Sequence, residues 1–314
     1  MKALVLQASA SIHLMDVATP EPSLDEALVH VAAVGVCGSD VSFVRDPGSS
    51  SLPMILGHEF GGRLKDGTQV VVNPMLGCTS CELCRAGNTH LCSRLRVLGF
   101  HQAGAYAQEV AVPVRNLVAA PSLSALQCSL VEPIATGLHA WVRAGRPMFD
   151  VAIIGAGAIG MCLLHVLNQA GVVGITVIDP IRERLDHALA DGATAVAARL
   201  TGAHQAVFEA AGTPGTREDA LLCTVPGGTV TLIGLHGDRV SLPARPFLLG
   251  DRTVYGCFAY SEDEFRQAVR IAASIKAPWS EMISLADAEV EFAARLAGQG
   301  PPGRVKTVIC PNPT

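Results

Sequence analysis

Short runs rich in Val, Leu and Ala, broken by Pro and Gly, recur through the first part of the chain. Residues 1–6, 27–34, 69–72 and 107–112 read as strands of an antiparallel β unit, because such runs bounded by turn residues suit half-buried strands. From about residue 146 the texture changes. Apolar runs at 151–154, 174–178, 206–209 and 229–233 alternate with stretches of helical spacing, the pattern of a parallel sheet covered by helices. A helix at 285–297, the turn Pro301-Pro302-Gly303 and a last strand at 305–309 close the chain. The predicted fold class is α/β, with residues 1–145 and 280–314 in a β-rich domain and 146–279 inserted as a second domain. No internal repeat and no low-complexity segment interrupts it.

Composition supports this reading and narrows the partners. The chain is 49% hydrophobic and 16% charged with 31 glycines, which suits buried strands joined by tight turns. A net charge of −5 leaves no basic footprint, which argues against nucleic acid or a membrane as partner. The longest apolar stretch, 151–167, contains Gly155, Gly157, Gly160 and His165, and reads as a strand entering a helix, not as a membrane span. The start, Met1-Lys2-Ala3-Leu4-Val5-Leu6, lacks the form of a signal peptide, so a reducing cytoplasm is the expected location for the ten cysteines.

Four of those cysteines, Cys78, Cys81, Cys84 and Cys92, fall in one Gly-flanked loop. Thiolates at that spacing converge on one tetrahedral Zn²⁺ and leave it no open position, which makes a structural site. Two plainer readings compete. Small hydrophobic cysteines would not gather in a polar loop, and a disulfide framework suits an oxidising compartment. By contrast Cys128, Cys162, Cys223, Cys257 and Cys310 stand singly among apolar residues and read as core fillers. A separate set, Cys37 with His58 and Glu59, has a single thiolate and leaves room for a substrate oxygen on a second metal.

Gly155-Ala156-Gly157-Ala158-Ile159-Gly160 follows a predicted strand and opens a predicted helix, the context a dinucleotide-binding turn requires. Its glycines permit a tight turn and close approach to a pyrophosphate at the helix N-terminus. Asp179, nineteen residues beyond Gly160, stands where a carboxylate receives ribose hydroxyls and repels a 2′-phosphate, so NAD is expected. A helix-capping role is the plain alternative for Asp179, and Arg182 and Arg184 keep NADP open. Gly212 and the pair Ile233-Gly234 lie at strand ends, where either turn chemistry or cofactor contact accounts for them.

Taken in order, Gly35-Val36-Cys37-Gly38-Ser39-Asp40, Gly57-His58-Glu59, the four-cysteine loop, Leu130-Val131-Glu132-Pro133, the glycine motif and Gly303-Arg304-Val305-Lys306 resemble the zinc-dependent medium-chain alcohol dehydrogenases. The Glu132-Pro133 step is similar to their polyol and threonine dehydrogenase branch. The resemblance implies a GroES-like catalytic domain and a Rossmann domain, with the active site in the cleft between them. It implies two Zn²⁺ per chain: Cys37 and His58 as catalytic ligands, with Glu59 and Glu132 as candidates for the remaining positions, directly or through water. Ser39 would meet the substrate oxygen, Asp40 would hold the His58 ring, Thr136 would pack near the nicotinamide, and Lys306 would reach the pyrophosphate. A homo-oligomer, dimer or tetramer, is also implied.

The chemistry expected is Lewis-acid acidification of a secondary alcohol, a polyol, sugar, cyclitol or amino alcohol, with hydride passing to C4 of NAD⁺. Ser39 would relay the hydroxyl proton. Ser42 stands where many relatives carry histidine, so the proton exit runs through water, Ser42 or the cofactor ribose. The shortened segment 42–56, with a loop at Pro47-Gly48-Ser49-Ser50-Ser51, borders the expected substrate mouth. Phe43, Phe100 and Phe258 are candidate pocket walls or core, and His101 and His139 are candidate pocket or structural histidines. Two other readings stay open: an NADP-linked carbonyl reductase of the same fold, and a non-catalytic NAD-sensing or scaffold protein.

Overall fold

The computed structural model describes residues 1–48, 51–235 and 239–312; Ser49 and Ser50 of the loop expected at 47–51 lie outside the described residues. The chain divides into two compact units, Met1–Glu132 with Ser261–Thr314, and Pro133–Tyr260.

In the first unit the strand Glu26–Gly35 organises a seven-stranded sheet. Glu59–Arg63 pairs with it antiparallel on one side and Lys306–Cys310 antiparallel on the other, which sets Gly35 opposite Glu59 and also opposite Val308. Glu109–Pro113 pairs with the earlier part of the same strand. Val29, Val31 and Ala33 alternate into the core, where Val29 and Val31 join Leu4, Leu6, Phe60, Tyr106 and Phe292. The period-2 alternation fixes register, because a one-residue slip would expose this whole set.

The second unit holds a six-stranded sheet in the order Ala195–Ala197, Val173–Ile178, Phe149–Ile154, His204–Glu209, Thr224–Leu232, Thr253–Gly256, with every pairing parallel. Chain order 3-2-1-4-5-6 is that of a doubly wound dinucleotide-binding sheet, which reverses direction between the strands Phe149–Ile154 and His204–Glu209. Residues after the C-terminal ends of these two strands border the crevice where such sheets bind ligands. Val151, Ile153, Val177 and Phe208 are fully buried, as strands covered on both faces require.

The units change over after Glu132 and after Tyr260, while the sequence texture changes near residues 146 and 280. The first change falls inside one continuous helix, Ala125–Arg143, so composition gives no signal there. Helix Glu262–Ala272 explains the second. Ser261 and Glu264 cap it, the Glu262 amide donates to the Gly87 carbonyl at 3.0 Å, and Thr89 Oγ1 donates to the Glu262 carboxylate at 2.6 Å. These bonds tie its first turn to the cysteine loop. Among the described residues no helix is long and apolar enough to cross a membrane.

Candidate functional site

Cys78, Cys81, Cys84 and Cys92 converge, with ligand atoms all within 4.8 Å of one another. The Cys78–Cys84 and Cys81–Cys92 sulfur separations are both 3.9 Å. A tetrahedron with Zn–S bonds of about 2.3 Å has an edge of about 3.8 Å, so the four sulfurs fit a zinc ion, whereas a disulfide would bring a pair to about 2.05 Å. Backbone amides supply the surroundings a thiolate needs: Cys81 N–H reaches Cys78 Sγ at 3.3 Å, Cys84 N–H reaches Cys81 Sγ at 3.4 Å, and Arg94 N–H reaches Cys92 Sγ at 3.3 Å. Hydrogen bonds from Ser80 and the Cys81 amide lower the Cys78 thiol to about 5. Burial, together with the neighbouring Cys81, pushes Cys84 up to about 11, and a cation at the centre removes that mismatch by favouring every thiolate.

Cys37, His58 and Glu59 form the second group within 4.8 Å. The sheet and one helix bring them together. Cys37 caps helix Gly38–Arg45 and donates its amide to Asp40 Oδ2 at 3.0 Å, while His58 and Glu59 enter strand Glu59–Arg63. Asp40 is fully buried, with Oδ1 3.2 Å from His58 Nδ1, which leaves Nε2 as the ring's remaining ligand atom. Burial opposes charge on this ring, but the Asp40 carboxylate outweighs it and holds His58 well above the ordinary value of 6.5. Phe100 lies against His58 with ring centroids 5.0 Å apart, and Phe43 meets Phe100 edge-on at 5.3 Å, so two of the three candidate pocket aromatics do flank the site. Phe258 is 49% exposed in the other unit.

Other predicted residues fall differently. Ser39 is half-buried on helix Gly38–Arg45, two positions beyond Cys37, and Ser42 is exposed on the same helix. Glu132 is buried on helix Ala125–Arg143 and stands outside the 4.8 Å group. Lys306, expected at a pyrophosphate, turns its ammonium onto the Glu59 carboxylate, and both side chains are 1% exposed. The strand order accounts for this, since Lys306–Cys310 and Glu59–Arg63 flank Gly35 on opposite sides. His101 Nδ1 accepts from the Val97 amide at 3.1 Å in a turn, and His139 is buried in its helix.

In the parallel-sheet unit, Gly155, at φ +99°, and Gly160 make the turn after strand Phe149–Ile154. A Cβ on Gly160 would lie 1.9 Å from the Gly155 carbonyl oxygen, so only glycine allows that approach. Gly157 caps helix Ala158–Gln169, which carries Ile159, and the first-turn amides of that helix form a ready anion site. Asp179 is 4% exposed and accepts the Ala156 amide on Oδ2 and the Ile181 amide on Oδ1, each at 2.9 Å; Arg184 Nη1 lies 3.8 Å from Oδ2. Thr136 is half-buried on its helix. Gly212, Ile233 and Gly234 gather around Glu209, whose Oε1 accepts the Gly212 amide at 2.6 Å and whose carbonyl accepts the Ile233 and Gly234 amides at 2.8 and 3.1 Å.

Sequence reasoning missed Tyr106, Glu209 and Arg217. Tyr106 donates its phenol to Asp40 Oδ2 at 2.6 Å, and Arg217 donates to the Gly234 and Arg239 carbonyls at 3.0 Å each. Tyr106 and Arg217 work through contacts distant in sequence, whereas the Glu209 carboxylate binds the nearby Ala211 and Gly212 amides. The local signal for Glu209 is its place at the end of an apolar strand, three residues before Gly212.

Residues 23–122 match the family model of the alcohol dehydrogenase GroES-like domain, and residues 158–274 match that of the zinc-binding dehydrogenases. The chain is 30% identical over 265 residues to galactitol 1-phosphate 5-dehydrogenase of Escherichia coli K12, covering 76% of this chain and 77% of that protein. It is 28% identical over 300 residues to L-galactonate-5-dehydrogenase of the same organism, covering 88% of each. A solved structure from Sinorhizobium meliloti 1021, bound to NADP, is similar at a TM-score of 0.88 and 28% identity over 99% of both chains.

Proposed function

We propose, from the premise that this chain belongs to the zinc-dependent medium-chain alcohol dehydrogenase family, that it transfers hydride between a polyhydroxylated secondary alcohol and NAD. One zinc would sit at Cys37, His58 and Glu59, and a second in the four-cysteine loop. The observation that carries this reading is the convergence of one thiol, one imidazole and one carboxylate within 4.8 Å, a donor set with too few sulfurs to close a structural site. When bound there, zinc supplies Lewis-acid polarisation that lowers the pKa of an alcohol hydroxyl.

The chain's own residues account for the rest. Asp40 fixes the His58 ring so that Nε2 remains its ligand atom. Ser39 would relay the substrate hydroxyl's proton, accepting it as its own hydroxyl proton passes on, and exposed Ser42 on the same helix would offer an outlet to water. Phe100 and Phe43 give the site an apolar wall on the imidazole side, which excludes water there. Glu132, buried but outside the ligand group, would act on the metal through water or by direct contact. On the cofactor side the turn from Gly155 to Gly160, with Ile159, would hold the pyrophosphate, Asp179 would hold the ribose hydroxyls, Thr136 would pack near the nicotinamide, and Gly212, Ile233 and Gly234 would contact the cofactor.

The substrate class is a polyol, sugar, cyclitol or amino alcohol, supported by the galactitol 1-phosphate and L-galactonate that the two relatives' names carry. NADP is the second reading, favoured by Arg184 beside Asp179 and by the NADP in the Sinorhizobium protein. A homo-oligomer is part of the proposal, supported by exposed Leu248 and Leu249 close in sequence to the edge strand Thr253–Gly256. Cytoplasmic residence is part of the proposal, supported by the four converging thiols of Cys78, Cys81, Cys84 and Cys92, which a zinc ion requires in reduced form. A panel of polyols, sugars, hydroxy acids and hydroxy amino acids, followed by NADH and NADPH absorbance with metal content measured alongside, tests the reading. Turnover of at least one polyhydroxylated alcohol is expected; a zinc-loaded protein that oxidises none with either cofactor contradicts it.

A further inference from the structure

The buried ion pair between Glu59 and Lys306 joins a candidate metal ligand to the last strand of the chain. Three neighbouring strands make it, and Gly35 on the middle one gives it room. A Cβ on Gly35 would lie 2.2 Å from Glu59 Oε2 and 2.7 Å from Lys306 Cε, so any side chain there would displace the pair. Both charged groups are 1% exposed, where neither charge is tolerable without a partner.

We propose that Lys306 is a positioning residue that commits one oxygen of Glu59 and so restrains this carboxylate from becoming a full metal ligand. The inference rests on the metal-site reading above. Charge and geometry lead to it. Cys37 as thiolate and Glu59 together already balance a divalent ion, and Glu59 Oε2 is engaged by the ammonium, which leaves Oε1 the freer oxygen for a metal. A carboxylate tethered on one side binds weakly and lets go easily, which keeps one position exchangeable for substrate oxygen. Without the ammonium, the buried carboxylate has only the cation to turn to.

Lys306→Met tests this on the holoenzyme, zinc-loaded for exchange and cobalt-substituted for spectroscopy. Release of the catalytic-site zinc to a chromogenic chelator should slow about tenfold or more, the scale on which groups behind the ligands alter metal affinity. The visible bands of the cobalt enzyme should shift as the Glu59 carboxylate binds fully. The double variant Lys306→Met with Glu59→Gln removes both charges, and it should release zinc faster than Lys306→Met and lose that variant's spectral shift, because the carboxylate the lysine restrained is gone; it also serves if the single variant does not fold. Release and spectrum unchanged in Lys306→Met, or a double variant that behaves like the folded single one, overturns the proposal. Cys37→Ser run in parallel separates the two readings. If Cys37→Ser loses zinc while Lys306→Met changes nothing, only the positioning role fails; if Cys37→Ser keeps all its zinc, the metal site itself is wrong.

Discussion

Asp40 is a fully buried carboxylate whose two oxygens face different partners. Oδ1 lies 3.2 Å from His58, and Oδ2 accepts the Tyr106 phenol at 2.6 Å and the Cys37 amide at 3.0 Å. Removing the phenol leaves a buried charge short of one donor, so Tyr106→Phe should lower the unfolding free energy by about 1–3 kcal/mol. Urea denaturation checks this, and an unchanged midpoint with an unchanged slope contradicts it. The pair also sets a pH dependence. His58 is raised above its ordinary 6.5, so its contribution is complete below that value and is lost as pH rises through the raised one. Asp40 is lowered below 3.8 against the opposing effect of burial, so its contribution is present above 3.8 and lost as pH falls through the lowered value. In chelator-treated protein the stability advantage over Asp40→Asn should therefore be largest between about pH 4 and 6.5 and shrink towards alkaline pH. Thermal unfolding of both proteins from about pH 4 into the alkaline range reads it, and a gap that stays constant as pH rises through the raised His58 value would contradict the assignment.

At the scale of elements, the turn after strand Phe149–Ile154 was legible because its motif came with a strand before and a helix after. The place of Asp179 at the tip of the next strand was legible for the same reason. The structure adds that its carboxylate also ties down the glycine turn through the Ala156 amide. Asp179→Ser should thus lower the ratio of kcat/KM for NAD to that for NADP by about tenfold or more, roughly 1.4 kcal/mol, mostly through KM for NAD. Steady-state kinetics with both cofactors decides it; an unchanged ratio removes Asp179 from cofactor selection. What the sequence hid were contacts made across strands. Tyr106 sits in no motif, and its phenol reaches Asp40 only because the first unit's sheet and helix Gly38–Arg45 bring residues far apart in sequence together. Lys306 lay in a motif whose resemblance pointed to the cofactor, yet the register of three strands turned it to Glu59. The Phe43 and Phe100 contact was foreseen only as one reading of isolated aromatics, since no spacing rule links two residues so far apart.

For the whole molecule, hydrophobic texture located the two kinds of sheet, and strand order then gave what texture lacked: a parallel sheet with a reversal of winding, and a β-rich unit closed by the chain's last strand. The boundaries were hard to read because the first falls inside one continuous helix and the second at the cap of another. Within the first unit lie both donor groups, four sulfurs in one and a mixed set in the other, and the account turns on their difference. The most direct test is metal content per chain by mass spectrometry, measured with alcohol-dependent NADH formation on parent and Cys37→Ser. The parent is predicted to carry two zinc ions and the variant one, with turnover lost and the fold kept. A Cys37→Ser protein that retains both zinc ions, or one that loses zinc and still oxidises alcohol at the parent's rate, would contradict the account.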